Sequence, residues 1–397
     1  MRGSSMLHGK HFLFVPGPSN VPDRILRAMD RPMIDPRSSA FPELTTSLLS
    51  DLKQLFRTDQ GQCFIFPSSG TGAWEAALSN TLSPGDRVLA PRFGMFSHLW
   101  VQLAEQLGFH VDVLDEPWGD GAPTERIAEV LHQDNNHTIK AVLLVHNETS
   151  TGVTTSVAGV RDALNEQDHP AMLFVDGVSS IGSLEFAMDE WGVDVAVTGT
   201  QKGLMLPPGL GLLGVSQRAM TAAASATSPR AYFRFDTMAE SNAAGYFPYT
   251  PSLSLLFGLQ ESLTMLLHEG LERVRERHAR MAEGVRRAVK AWGLPLCARS
   301  EVLYSDTVSA IRVPGGFDAR TVIDLAFRRY NLSLGAGLGE LAGEVFRIGH
   351  MGDINELMVS GAIAGSEMAM RDVGIQISAG SGVAAAMEYY RTTSPAT

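Results

Sequence analysis

The sequence predicts an α/β fold: a large domain with a mostly parallel, seven-stranded-type sheet covered by helices, then a smaller α+β C-terminal domain. Two observations carry this. Between residues 62 and 300, short apolar runs alternate with longer amphipathic ones, the pattern of βαβ units around a sheet buried on both faces. The chain also has 397 residues, more than one ordinary core accommodates, so two domains are expected.

The apolar runs are CFIF (63–66), RVLA (87–90), HVDVL (110–114), AVLLV (141–145), AMLFV (171–175), VAVT (195–198) and LGLLGV (210–215). Helix-like segments at 72–81, 97–108, 124–133 and 157–166 lie between them. Residues 11–30 are Pro-rich and then helical, an expected N-terminal arm. Residues 223–252 are aromatic and aperiodic, which reads as a long loop of functional interest. Residues 257–292 read as one long helix ending near Gly293. Beyond it, TVSAIRV (307–313) and EVFRIG (344–349) read as strands, and 318–329 and 353–371 as helices. The expected division is therefore 1–10 leader-like, 11–30 arm, 31–256 large domain, 257–293 connecting helix and 294–397 small domain. The opening MRGSS resembles an expression leader and is set aside.

Bulk properties narrow the function. A net charge of −11 argues against general affinity for nucleic acid or anionic membrane. No apolar run approaches the length of a membrane helix, and no secretory signal is visible, so a cytoplasmic location is expected. Two cysteines, Cys63 and Cys297, allow neither a disulfide framework nor a cysteine-rich zinc site.

In a mostly parallel sheet, functional groups gather at the carboxyl ends of the strands. After CFIFP comes Ser68-Ser69-Gly70-Thr71-Gly72, small residues opening a helix. Free N–H groups and the helix dipole suit an anion there, although such a turn also serves as an ordinary helix start. It matches neither a Walker A loop nor GxGxxG. After AMLFV comes Asp176, a carboxylate that reads as a helix cap, as a partner for a cationic ring nitrogen, or less readily as a metal ligand. No ligand set at metal spacing accompanies it. After RVLAP comes Phe96, an aromatic ring at the same edge, and after AVLLVH the polar turn Asn147–Gly152. Lys202 follows VAVT among apolar residues and glycines, where it reads either as a strand-end lysine that reaches solvent or as an amine whose charge desolvation would disfavour, suited to act as a nucleophile or Schiff-base former. A phosphate cradle, a flat ring, a carboxylate and a lysine along one edge suit pyridoxal phosphate.

The segments FVPGPSNVP, PSSGTGAWEAALSNTLSPGD, HNETSTGV, LFVDGVSSIGS, TGTQKGLMLPPGLG, GYFPYTP and FRIGHMGD run in order through the chain. Together they resemble the class V, fold type I aminotransferases that use pyridoxal 5′-phosphate, most nearly the serine–glyoxylate branch. The resemblance runs from about residue 12 to the C-terminus. It implies ping-pong transamination of an amino acid, L-serine favoured, to glyoxylate, giving hydroxypyruvate and glycine. It also implies that Lys202 forms the Schiff base and moves the Cα proton, that Asp176 pairs with the pyridine nitrogen and that Val178 packs under the ring. Phe96 stands where relatives often carry Trp or Tyr. Ser69, Gly70, Thr71 and Gln201 are expected to hold the phosphate, and Ser150 to approach the ring's phenolic oxygen. Arg347 is expected to clamp the substrate carboxylate. Thr250 and Tyr249 are expected to reach the phosphate of a neighbouring subunit, which implies a homodimer with shared sites; pairing of dimers into tetramers stays open. Arg37 is expected either near the substrate side chain or in a structural salt bridge.

Alanine and aspartate are alternative donors. A cysteine desulfurase would need a thiol on a mobile loop, and the 331–342 loop has none. A phosphoserine aminotransferase would need more basic groups near the site. A non-enzymatic scaffold of this fold should have lost Lys202, Asp176 or Arg347, and an NAD-binding protein would need GxGxxG.

Overall fold

A computed structural model of the chain describes residues 9–393; most of the leader-like segment lies outside them. In chain order the first elements are β1 (Phe12–Phe14), α1 (Asp23–Met29) and α2 (Phe41–Phe56). Next come β2 (Gln62–Pro67), α3 (Gly70–Thr81), β3 (Arg87–Arg92), α4 (Met95–Gln106), β4 (His110–Asp115) and α5 (Thr124–Gln133). They are followed by β5 (Ile139–Val145), a short ribbon of β6 (Asn147–Glu148) and β7 (Val153–Thr154), α6 (Val157–Glu166), β8 (Met172–Asp176), β9 (Val195–Gly199) and β10 (Leu210–Val215). The C-terminal part begins with α7 (Gln217–Ser225), α8 (Phe235–Ala243), α9 (Leu253–Glu269) and α10 (Leu271–Trp292). It ends with β11 (Val308–Arg312), α11 (Ala319–Tyr330), β12 (Leu332–Ala336), β13 (Val345–Gly349), α12 (Glu356–Val373) and α13 (Ser381–Thr392).

All seven apolar runs enter one seven-stranded sheet, ordered β2-β10-β9-β8-β5-β3-β4. Only β10 runs against its neighbours β9 and β2. The chain between β9 and β10 is too short for the helical crossover that a parallel strand requires, so β10 returns antiparallel. The carboxyl ends of β2, β3, β5, β8 and β9 therefore share one edge with the start of β10.

Side chains alternate between two cores, as a pleated sheet demands. In β8, Leu173 and Val175 face a cluster with Leu48 and Leu52 of α2, Val160 of α6 and Leu259 and Leu263 of α9. Met172 and Phe174 face the other, with Ala73 and Ala77 of α3 and Trp100 and Ala104 of α4. Each fully buried Leu, Val or Phe contributes about 1.5–3 kcal/mol. A second sheet, β1-β12-β13-β11, packs under α10 to α13 around Phe346, Ile348, Val322 and Ile363.

The helix expected over 257–292 is two helices. Gly270, at φ 89° and ψ 128°, stops α9 and starts α10; an L-residue resists that conformation. The loop expected over 223–252 holds α8, with Tyr232 stacked on Tyr249 at 4.3 Å between ring centroids. Strand β1, inside the expected arm, pairs in parallel with β12. No described helix is long and apolar enough to cross a membrane.

Candidate active site

Lys202 stands in a tight turn after β9. Thr200 Oγ1 donates to Pro207 O at 2.9 Å, and Leu206 and Met205 return backbone bonds to Thr200 and Lys202. The turn packs Leu204, Met205 and Leu206 into the core at 0–2 % exposure, which drags the lysine inward with them. Lys202 is 8 % exposed, and its Nζ donates to the carbonyl oxygen of Pro16. Burial, and next the nearby Arg347 charge, bring its amine down from 10.5 to about 8.

It lines a cavity of about 280 Å³ together with Gly17, Ser69, Gly70, Thr71, Phe96, Asn147, Thr149, Asp176, Val178, Ser179 and Gln201, among others. Eight expected site residues thus come together: Ser69, Gly70, Thr71, Phe96, Asp176, Val178, Gln201 and Lys202. The topology does this, because each follows a strand that ends on the same sheet edge.

One end of the cavity is built for an anion. Helix α3 starts at Gly70, two residues before the expected start, and its N-cap Ser69 makes no side-chain capping bond. The first intrahelical bond there is Ala73 N to Ser69 O, at 3.0 Å, so the N–H groups of the first turn stay available. Gln201 lines the same cavity, and it is its side-chain NH2, not the buried and unpartnered Oε1, that could donate to an anion. A Cβ on Gly70 would strike Val178 Cγ2 at 2.5 Å, so only glycine lets the cradle close onto the ring-sized slot.

Asp176 ends β8 at 5 % exposure. One carboxylate oxygen accepts from Val178 N at 2.7 Å. Burial, reinforced by the charge of Glu148, raises its pKa to about 7; a positive charge placed in the cavity beside it would reverse that penalty. Asn147 Nδ2 bonds Ser179 Oγ at 2.7 Å and Thr307 Oγ1 at 3.0 Å, which pins the turn after Asp176.

Glu148, which the sequence reading passed over, organises the opposite wall. Fully buried, it accepts from Phe96 N and Ser97 N, both at 3.0 Å, and from Ser150 N and Oγ at 3.1 and 2.7 Å. An acid fixing the first turn of α4 also complements its dipole, and it fixes where Phe96 stands. The signal was present in the sequence: an acid three residues beyond a buried strand, in a turn with no basic residue, needs partners if that turn is buried. Ser150 departs from expectation. Its hydroxyl is consumed by Glu148 and by Met95 N at 2.9 Å, while its neighbour Thr149 lines the cavity.

Arg347, on β13, is 6 % exposed. Its Nε donates to Ala336 O at 2.9 Å and one Nη to Thr149 O at 2.8 Å, so it sits directly behind the cavity wall. Burial lowers its pKa to about 10, opposed by Glu148, and the guanidinium keeps its charge at neutral pH. Arg37, Tyr249 and Thr250 are not brought to this cavity within one chain. Arg37 and Thr250 are exposed, and Tyr249 donates to Tyr232 O at 3.2 Å. Cys63 and Cys297 are buried away from the cavity, and burial pushes the Cys63 thiol up to about 12. Among the described residues, no group of three His, Cys, Asp or Glu is placed to hold a metal ion.

An anion cradle, a slot closed by Val178, a buried carboxylate and a buried lysine on the cavity wall fit pyridoxal phosphate. Comparison with known proteins agrees. The family model for class-V aminotransferases matches residues 11–306. A serine–glyoxylate aminotransferase of Methylorubrum extorquens is 56% identical over 388 residues, 96% of each chain. An L-aspartate–glyoxylate aminotransferase of Paracoccus denitrificans is 52% identical over 97% of each. The crystal structure of ureidoglycine–glyoxylate aminotransferase from Bacillus subtilis superposes with a TM-score of 0.91 at 28% identity, covering 98% of this chain and 100% of that one.

Proposed function

The chain belongs to the class-V aminotransferase family, and from that membership we propose that it transfers the amino group of L-serine to glyoxylate, releasing hydroxypyruvate and then glycine. It is an aminotransferase whose cofactor is pyridoxal 5′-phosphate. The observation that carries the donor assignment is the 56% identity, over 96% of each chain, to a serine–glyoxylate aminotransferase. Lys202 is the only Lys or Arg among the described residues that line the cavity of one chain, so a donor with a second carboxylate would depend on Arg37 of the partner subunit for its counter-charge.

When bound, the cofactor supplies an electron-withdrawing ring and a carbon that carries the amino group between the two half-reactions. The protein residues have separate tasks in this proposal. The first turn of α3, with Ser69, Gly70, Thr71 and Gln201, holds the phosphate. Asp176 holds the ring nitrogen in its protonated form. Val178 and Phe96, which both line the cavity, would pack against the ring. Thr149, rather than Ser150, offers a hydroxyl to the ring. Lys202 takes the Cα proton of the donor and later returns one; an amine near 8 is partly free base at neutral pH, as proton transfer requires. The remaining Nη of Arg347 binds the α-carboxylate of either substrate, and with a substrate as small as glyoxylate that contact dominates recognition.

We also propose a homodimer in which Tyr249 and Thr250 approach the partner's phosphate and Arg37 the partner's substrate. The exposure of Met33 and Tyr232 beside these residues supports that reading, at 58% and 44%. A cytoplasmic setting completes it, consistent with two unpaired, buried cysteines.

The test is spectroscopic. The visible band of the cofactor-loaded protein should bleach with L-serine in the absence of a keto acid and return with glyoxylate, and Lys202→Ala should abolish both changes. A band that responds to L-aspartate and ignores L-serine would transfer the assignment to the aspartate branch. Arg37→Ala should then remove the response.

A further inference from the structure

We infer that the segment Val15–Ser19 is a strap that positions Lys202 and ties it to the sheet carrying Arg347. This rests on the proposed role of Lys202 as proton carrier and adds residues to it.

The strap is anchored at both ends in different parts of the fold. Upstream, β1 belongs to the four-stranded sheet, with Phe12 opposite Leu332 and Phe14 opposite Leu334. Val15 O occupies the space where Gly349 would carry a Cβ, two residues beyond Arg347 on β13. Pro16 Cδ lies 2.6 Å from the Cβ position of Gly335, and the Nε of Arg347 lies 3.3 Å from the same point. The first half of the strap is thus laid over two glycines that flank the arginine.

Downstream, it closes on the lysine turn. Ser19 N donates to Gln201 O at 3.0 Å, and Ser19 Oγ donates to Lys202 O at 2.8 Å. Ser19 is 4 % exposed, so these bonds are shielded from water. Between the anchors, Gly17 has φ +102°, and a Cβ there would fall on the Cδ, Cε and Nζ of Lys202. The absence of a side chain at Gly17 lets the lysine lie along the strap and lets its Nζ reach Pro16 O. Residues 16–19 therefore fix the amine through the Pro16 carbonyl and the backbone of the lysine turn through the N–H and hydroxyl of Ser19.

The consequence is chemical. A carbonyl that accepts from an ammonium favours the charged form and opposes the desolvation that lowers this amine. It also parks the amine at one position on the cavity wall, from which it swings to the donor carbon. Gly17→Ala should displace the side chain from Pro16 O, and Ser19→Ala should remove one of the two bonds that hold the backbone of the lysine turn, leaving the Ser19 N–H bond to Gln201 O. Both are positioning changes, since neither removes the lysine.

The experiment uses holoenzyme brought to its aminated form with excess donor, in which the lysine is released from the cofactor. Lys202 is trace-acetylated with acetic anhydride across pH 6–10, and its peptide is quantified by mass spectrometry. In Gly17→Ala the pH midpoint of labelling should fall by about one unit, the size expected for losing one charge-assisted hydrogen bond. In Ser19→Ala the donor half-reaction should slow by roughly tenfold at unchanged donor KM, with a smaller fall in the midpoint and thermal unfolding close to wild type. Ser19→Thr, which keeps the hydroxyl, should recover the rate. Unchanged labelling midpoints and half-reaction rates in folded variants would overturn the strap while leaving the role of Lys202 intact. A wild-type protein that never reaches the aminated form would instead overturn that role, and the strap with it.

Discussion

Asp176 and Lys202 are held in environments that penalise their own charges, and that conflict is measurable. Burial raises the Asp176 pKa from 3.8 to about 7. A raised folded-state pKa means stability that is fully present below pH 3.8 and lost as the pH rises through 7. The shift corresponds to about 4 kcal/mol as an upper bound, less after relaxation. Lys202 behaves in the opposite sense. Its pKa is lowered from 10.5 to about 8, so its contribution is present above 10.5 and lost as the pH falls through 8. Asp176→Asn keeps an oxygen for Val178 N and removes the buried charge. Stripped of cofactor, this variant should therefore be more stable than wild type at pH 8 by about 1–3 kcal/mol, and unfold at a higher temperature. The gain should vanish toward pH 4, while activity of the loaded enzyme falls. Thermal scans at the two pH values decide it; equal midpoints at pH 8 would mean that Asp176 carries no burial penalty. Both residues were legible in combination: a carboxylate ending one apolar strand and a lysine among apolar residues after the next fall on one sheet edge. Glu148 was missed because it sits in a turn rich in hydroxyls, where an acid reads as ordinary turn chemistry. Ser150 and Thr149 are adjacent, and only the path of the β6–β7 ribbon decides which one faces the cavity.

At the scale of elements, periodicity located strands and helices better than it located their breaks. The 257–292 segment keeps its helical pattern through Gly270, yet α9 and α10 are separate helices. The glycine sits at φ 89° and ψ 128° between them. Replacing it with alanine forces a Cβ into that backbone conformation, at a cost of about 1–3 kcal/mol. Gly270→Ala should thus lower the unfolding midpoint although nothing lies within 4 Å of the new methyl. A protein of unchanged or greater stability would show that the two helices can fuse. In 223–252, aromatic content masked α8: Phe235 and Met238 are its only buried residues, too few for a periodic stripe.

For the whole molecule, the proposed dimer makes each site a joint property of two chains. Arg37, Tyr249 and Thr250 lie outside the cavity of their own chain, and the proposed dimer assigns them to the partner. A complementation experiment follows from the symmetry. Lys202→Ala and Thr250→Glu homodimers should each be poorly active. Unfolded together and refolded as a mixture with cofactor, they should regain activity, because one site of each mixed dimer combines an intact lysine with an intact threonine. Activity that stays at the mean of the two parents would mean each site is built within a single chain.

The order of apolar runs, the small-residue turns at their ends and the isolated Asp176 and Lys202 determined the sheet, its functional edge and the chemistry of the cavity. These are local signals, since hydrophobic period and residue type are properties of neighbouring positions. The antiparallel return of β10, the break at Gly270, the hold of Glu148 on α4 and the strap from β1 to Lys202 were decided only by tertiary structure. Each depends on two segments far apart in the chain competing for one volume or one hydrogen bond. Gly17 meets Lys202 across 185 positions (202 − 17), and no window of sequence contains both.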